Sequence, residues 1–224
     1  MIAAHLLSLK ALWLGNLAYI AVFLWAAIRV PWVELVNDSR KQHLLFGTIL
    51  AIFLLWLVRR DFGSGLSVHF LGMAATTLLL NAPLAILAAT LAQLALCVTG
   101  HSQLIALGLN GILHIVIPVF ITRLCANAAE RRQPEHLFVF IFCAGFFPAA
   151  LGLAACVLAS TAVLWLDGYA MPPWLTDFAP YLWLIMFPEA FINGMLISAL
   201  VVFKPEWLET FNRTRYLQTP PDER

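Results

Sequence analysis

Between Asp61 and Arg123 the chain has no Lys, Arg, Asp or Glu, yet it carries His69, His101 and His114 with Asn81, Gln93 and Asn110. About sixty uncharged residues are enough for roughly three bilayer crossings at about 20 apolar residues each. Imidazole is a common ligand for nickel, copper and zinc. Hydrocarbon punctuated by imidazole therefore suggests a membrane pathway or binding site for a small cation. Asn110 and His114 are spaced i, i+4 and share one helix face, with Gly108 and Gly111 beside it. Glu189 and Asn193 repeat that spacing in a later apolar stretch, where Pro188 removes a helix bond. An acid at the bilayer centre costs about 3 kcal/mol on insertion scales, so Glu189 should face a cavity or a partner.

The plainer reading of Asn110 and His114 is interhelical hydrogen bonding, worth about 0.6 kcal/mol each; for His69 it is an interfacial ring bonded to backbone or water. For Glu189 it is a neutral acid bonded to Asn193. His43 and His136 stand beside charges at the ends of apolar runs and suit the interface.

The elements that must position these residues are membrane helices. Of 224 residues, 62% are hydrophobic and 11% charged, against about 25% charged in a soluble domain. No strand-like alternation of the kind a barrel needs is present. The fold class expected is an all-α integral membrane protein: a single transmembrane domain over residues 1–208, then a cytoplasmic tail, 209–224. A net charge of +1 suggests no nucleic-acid partner. Cys97, Cys125, Cys143 and Cys156 are dispersed, without C-x-x-C, and suit small buried hydrophobes. No Walker, H-E-x-x-H or G-x-S-x-G motif occurs, so no enzyme is expected. The first apolar run, about 18 residues, exceeds a signal-peptide core and reads as a retained span.

The spans expected are Ala11–Ile28, Gln42–Val58, Leu66–Leu80, Leu84–Val98, Gln103–Thr122, Leu137–Leu166 and Tyr181–Phe203. Asn81-Ala82-Pro83 divides the third from the fourth; one kinked helix there would leave six. Gly63-Ser64-Gly65 is a joint, and Pro118 and Pro148 are expected kinks. The 123–136 loop and the tail hold Arg residues, whereas Asp167–Pro180 has neither Lys nor Arg. The positive charges thus put the tail inside, and seven spans put the N-terminus outside. Met1, His5, His69 and His101 would then lie toward the outer face. Arg59-Arg60 would lie outside as well, against the charge rule.

With these residues in hand, the order GLSVHFLGMAATTLLLNAPLAILAATLAQLAL followed by LIALGLNGILHI resembles the membrane permease subunits of cobalt and nickel energy-coupling-factor transporters. That family has a Ser-Gly-His lead, a Gly-Pro break and a Leu-Gly-x-Asn motif. Here Ser67-Val68-His69, Asn81/Pro83 and Leu107-Gly108-Leu109-Asn110 stand in those places. The closing PEAFINGMLISALVVFKPEWL resembles the family's last helix and places its acid at Glu189. The resemblance runs from Gly63 to Leu208. It implies seven helices, some short or broken, in a bacterial cytoplasmic (inner) membrane. It also implies uptake of Co²⁺ or Ni²⁺ as cargo, with no resident cofactor. The partners implied are a transmembrane coupling subunit and cytoplasmic ATPases. The family opens Met-His-Ile, and its amine and second-residue His form a planar nitrogen site with the His of Ser-Gly-His. This chain opens Met1-Ile2-Ala3-Ala4-His5, so the second ligand is missing.

Transferred to this chain, the resemblance implies His69 as central ligand, with the Met1 amine or His5 beside it. Asn110, His114, Glu189, Asn193 and His101 would order the site or the pathway. Two other readings remain open. One is the same fold with a small organic cargo, lined by Trp13, Trp25, Trp56, Trp165 and Trp183. The other is a non-transport membrane protein that assists metalloprotein assembly.

Overall fold

A computed structural model describes residues 1–61, 65–132, 137–168 and 173–211. Residues 62–64, with most of the Gly63-Ser64-Gly65 joint, His136, and tail positions 212–224 lie outside the described residues, as does the side chain of Trp183.

The chain enters α1 (Leu9–Arg29) through Ser8, whose Oγ accepts the Ala11 N–H at 3.2 Å. The helix stops at Val30, the residue before Pro31, where a proline disfavours helical backbone. A short α2 (Trp32–Asn37) comes next, then α3 (Ser39–Leu57), whose cap Asp38 accepts from the Arg40 and Lys41 N–H groups. Beyond α3 stands an element not expected from sequence. Arg59–Asp61 (β1) and Ser67–His69 (β2) form an antiparallel hairpin with Arg59 opposite His69. Helix α4 (Met73–Val98) begins only after Gly72, whose φ of 66° is left-handed.

Within α4, Asn81 has φ 67° and ψ 160° and breaks the helix into two arms. That combination lies outside the left-handed helical well, in a region ordinarily left to glycine, and Asn81 Oδ1 accepts the Ala82 N–H at 2.8 Å across the break. Pro83 then suits the first turn of the second arm, where its missing N–H costs nothing. Hydrogen bonds at both ends show what this break does. Arg59 Nη1 donates to the His101 carbonyl, joining the hairpin to the turn after the second arm. The Leu78 carbonyl accepts from Thr210 Oγ1 at 2.9 Å, beyond the last helix. Lys41 and Glu209 pair at 3.4 Å at that same far end. Leu66–Leu80 thus runs the depth of the bundle as extended chain plus a short helix, and the second arm returns.

Six helices among the described residues are long and apolar enough to cross a membrane. Five of them make one pass each, and the broken α4, together with the extended chain before it, makes two. Seven passages result, as the sequence division at Asn81 expected.

The fifth passage is α5 (Leu107–Gly111), a π-helical turn over Ile112–Val116, and α6 (Ile117–Arg132). The sixth is α7 (Leu137–Phe140), a second π-helical turn over Ile141–Phe146, and α8 (Phe147–Leu166). Pro118 and Pro148 each stand just after one of these turns and lack the N–H that would tighten it. The expected kinks are therefore widened turns just upstream. Helix α9 (Pro173–Phe203) closes the bundle.

The two arms of α4 form the buried centre. Leu14, Ile28, Leu50 and Val202 are exposed on the outer helices, as a hydrocarbon solvent permits. Trp13, Trp25 and Trp165 are exposed too, and only Trp56 among the described members of that group is buried. They do not form the aromatic pocket that an organic cargo reading invoked.

Candidate metal centre

The first residues of the chain fold back into the protein as an edge beside the hairpin. Ile2 pairs with Leu66 in an antiparallel bridge. Ser67 N–H donates to the Met1 carbonyl at 3.0 Å, Ala3 N–H to the Gly65 carbonyl at 2.8 Å, and the Met1 amine to the Ser67 carbonyl. The other side of Ile2 is held by Asn110. Its Oδ1 accepts the Ile2 N–H at 2.8 Å and its Nδ2 donates to the Ile2 carbonyl at 2.9 Å. One amide thus meets a whole peptide edge, and Ile2 is only 2% exposed.

Beneath this edge lie two imidazoles. His69 is 4% exposed and His114 5%. His69 Nδ1 lies 2.9 Å from the Phe70 carbonyl, and His114 Nδ1 lies 3.0 Å from the Asn110 carbonyl. A carbonyl only accepts, so in the neutral ring each Nδ1 carries the proton and each Nε2 keeps a lone pair. Nε2 of His69 is buried with no hydrogen-bond partner. The two ring centroids are 5.3 Å apart, and Trp56 lies 5.4 Å from His69 on another side. Burial away from water holds the Met1 amine down at about 6. At neutral pH that amine too presents a lone pair, the form that binds a metal.

Above the edge opens a cleft of about 290 Å³, lined by Met1, Ile2, Arg59, Asp61, His101 and Gln103 among others. Its floor is the inserted N-terminus.

Glu189 has a different task from a charge in a pathway. Its Oε2 accepts the Leu71 N–H at 2.8 Å, and its Oε1 accepts the Gly72 N–H at 2.9 Å and Asn193 Nδ2 at 2.9 Å. Asn193 Oδ1 accepts the Ala75 N–H at 2.9 Å. Acid and amide together satisfy amide donors at the start of α4, which would otherwise be orphaned in hydrocarbon. The carboxylate also faces the positive end of the helix dipole. Since Leu71 is two residues past His69, this cap fixes the segment that carries the imidazole.

The sequence candidates therefore separate. Met1, His69, His114 and Asn110 come together, and Glu189 with Asn193 support them from the start of α4. His101 is exposed at the cleft, its ring 3.1 Å from Thr99 Oγ1. His5 is exposed on the short turn Ala4–Leu6, its ring folded over Gly65. Among the described residues no three His, Cys, Asp or Glu side chains gather as a closed metal cage.

Several positioning residues escaped sequence reasoning. Asn16 Oδ1 accepts the Gly108 N–H at 2.8 Å and its Nδ2 donates to the Ile105 carbonyl at 2.8 Å. Tyr19 lies 2.7 Å from Thr90 Oγ1. The available signals were Asn16, the lone amide of its span, and the paired glycines 108 and 111. A Cβ on Gly108 would collide with the Asn16 backbone, and one on Gly111 with the Tyr19 ring. Gly108→Ala is therefore expected to destabilise the protein by about 1–3 kcal/mol or more, as overpacking does. Gly47→Ala, whose Cβ meets nothing within 4 Å, should be neutral or stabilising. Thermal unfolding of the two variants in detergent compares them directly, and equal melting would mean that α1 and α5 do not approach so closely.

The profile of a family described as the cobalt uptake substrate-specific transmembrane region matches residues 2–207. A crystal structure of a truncated transition metal transporter superposes with a TM-score of 0.76 at 17% identity, covering 90% of this chain and 98% of that one. At that identity the likeness is one of fold. No curated protein sequence matches the chain.

Proposed function

The chain belongs to the cobalt uptake substrate-specific transmembrane family, and from that premise we propose that it is the substrate-binding membrane subunit of an energy-coupling-factor transporter for Co²⁺ or Ni²⁺. The observation that carries this reading is the orphaned Nε2 of His69, buried below an inserted N-terminus and an open cleft. A buried polar atom without a partner costs about 1–3 kcal/mol, and a cation arriving from the cleft would supply the partner. Nitrogen donors favour such transition metals over Mg²⁺. Asn110 seats the chain's first peptide over the imidazoles, and Glu189 and Asn193 hold the segment bearing His69. The chain has no nucleotide-binding motif of its own, so energy would come from a transmembrane coupling subunit and cytoplasmic ATPases. Co-expression with such subunits in a metal-uptake-deficient bacterium should raise cellular cobalt or nickel. No rise above the ATPases alone would overturn the proposal.

The same reading fixes orientation. In a cysteine-free background, a cysteine at exposed Lys10 should react with an impermeant thiol reagent from outside. One at exposed Arg131 should react only after the membrane is opened. Labelling of both from one side would contradict seven passages.

A further inference from the structure

The family resemblance carries a planar nitrogen site built on a histidine at residue 2, and this chain has Ile2 there. Nor is the residue-2 amide open to a cation, since its N–H is held by Asn110 Oδ1 at 2.8 Å. Yet the orphaned nitrogen of His69 remains, and the titratable ring beside it is His114. We propose that His114 Nε2 replaces the missing residue-2 ligand, so that His69 and His114 close together on one Co²⁺ in a non-planar site unsuited to planar Ni²⁺. This deepens the metal-permease reading and rests on it.

Three independent features support the pair. Each ring gives its Nδ1 proton to a backbone carbonyl, which is how proteins fix the tautomer and orientation of metal-binding histidines. The spacing permits it. The rings stack with centroids 5.3 Å apart and planes 25° from parallel, and with metal–nitrogen bonds of about 2.0–2.1 Å a modest turn of the two rings would bring both Nε2 atoms onto one ion. Finally, His114 stands inside the π-helical turn Ile112–Val116. Such a turn inserts an extra residue and re-aims the side chains around it, and is frequent at functional sites. Asn110, one turn earlier, clamps Ile2, so a single short stretch both positions the N-terminus and offers the second ring.

The coordination chemistry sets the selectivity. Square-planar nitrogen sites suit Ni²⁺ and Cu²⁺, and a residue-2 histidine with its amide nitrogen would provide one. Two rings from different passages, with the Met1 amine beside them, have no such in-plane chelate. No third His, Cys, Asp or Glu completes a cage among the described residues. That leaves a position for water, as a cargo that must be released requires.

The test uses the full chain in lipid nanodiscs, loaded with Co²⁺. X-ray absorption of the wild-type complex should count two imidazoles, and the visible spectrum should show the intense ligand-field bands of four-coordinate Co²⁺. His114→Ala should weaken Co²⁺ binding at least about tenfold and abolish those bands, since it removes a direct ligand and even outer partners cost 10–100-fold. One imidazole in the wild-type complex, or an unaltered spectrum in His114→Ala, would overturn the proposal. The wild-type measurement decides even if that variant fails to fold. Should His69→Ala abolish binding while His114→Ala does not, the permease reading stands and this inference alone falls. A wild-type chain that binds neither Co²⁺ nor Ni²⁺ would remove both.

Discussion

Replacing His69 by alanine is expected to eliminate stoichiometric Co²⁺ or Ni²⁺ binding by the purified chain while leaving its helices intact. The ring offers the one buried nitrogen among the described imidazoles that has no partner, so its removal takes away a ligand. Affinity should fall by more than about 100-fold, beyond the 10–100-fold typical of outer-sphere partners. The fold should survive because the neighbouring contacts are made by backbone. The β1–β2 register, the Ile2 bridge and the Glu189 bonds to Leu71 and Gly72 involve no His69 ring atom. His43→Ala supplies the control, since His43 is exposed and its ring lies 3.4 Å from Ser39 Oγ. Isothermal titration with each ion, alongside circular dichroism, separates binding from folding. Undiminished binding by His69→Ala would place the cation elsewhere. A comparable loss in His5→Ala would mean that the N-terminal turn reorganises when metal binds.

The membrane class and the seven passages were legible because both depend on local quantities. Hydropathy marks the spans, and Asn81 with Pro83 marks the break, whatever lies elsewhere in the chain. The polar residues were legible one by one for a similar reason: in hydrocarbon an imidazole, amide or acid needs a cause. Their grouping was not legible. The bonds that define the centre join Ile2 to Asn110 and Leu71 to Glu189, residues more than a hundred positions apart, and no periodicity encodes such pairs. The hairpin β1–β2 was hidden because its strands are short and Leu66–His69 continues an apolar run that looks helical. Shared sidedness suggested His5 as a ligand. The Ala4–Leu6 turn instead folds its ring over Gly65, where the absent side chain leaves room. For His114 the sequence suggested an interhelical hydrogen bond, and the ring that stands opposite it, His69, is not encoded in its own helix.

Glu189→Leu is expected to be the most damaging single change for stability. The acid accepts three bonds, from two backbone N–H groups and the Asn193 amide. Leucine accepts none and leaves all three donors buried, each at about 1–3 kcal/mol. The cost should therefore be on the order of several kcal/mol, a large part of a typical total stability. Glu189→Gln is the informative partner. Its carbonyl oxygen can still serve Gly72 and Asn193, but its NH₂ must then face the Leu71 N–H, donor against donor. One unsatisfied pair remains, so the loss should be about 1–3 kcal/mol. The two substitutions form a graded series because the cap uses both oxygens. The consequence reaches the metal. Leu71 is two residues past His69, so loosening it blurs the position of Nε2. Co²⁺ affinity should fall by about 10–100-fold in Glu189→Gln, in the manner of other supporting contacts. Melting temperatures and Co²⁺ titrations on the two variants read both effects. If Glu189→Leu melts like the wild type, the acid is not what holds the start of α4. If Glu189→Gln melts lower yet binds Co²⁺ unchanged, the cap stabilises the bundle without positioning His69.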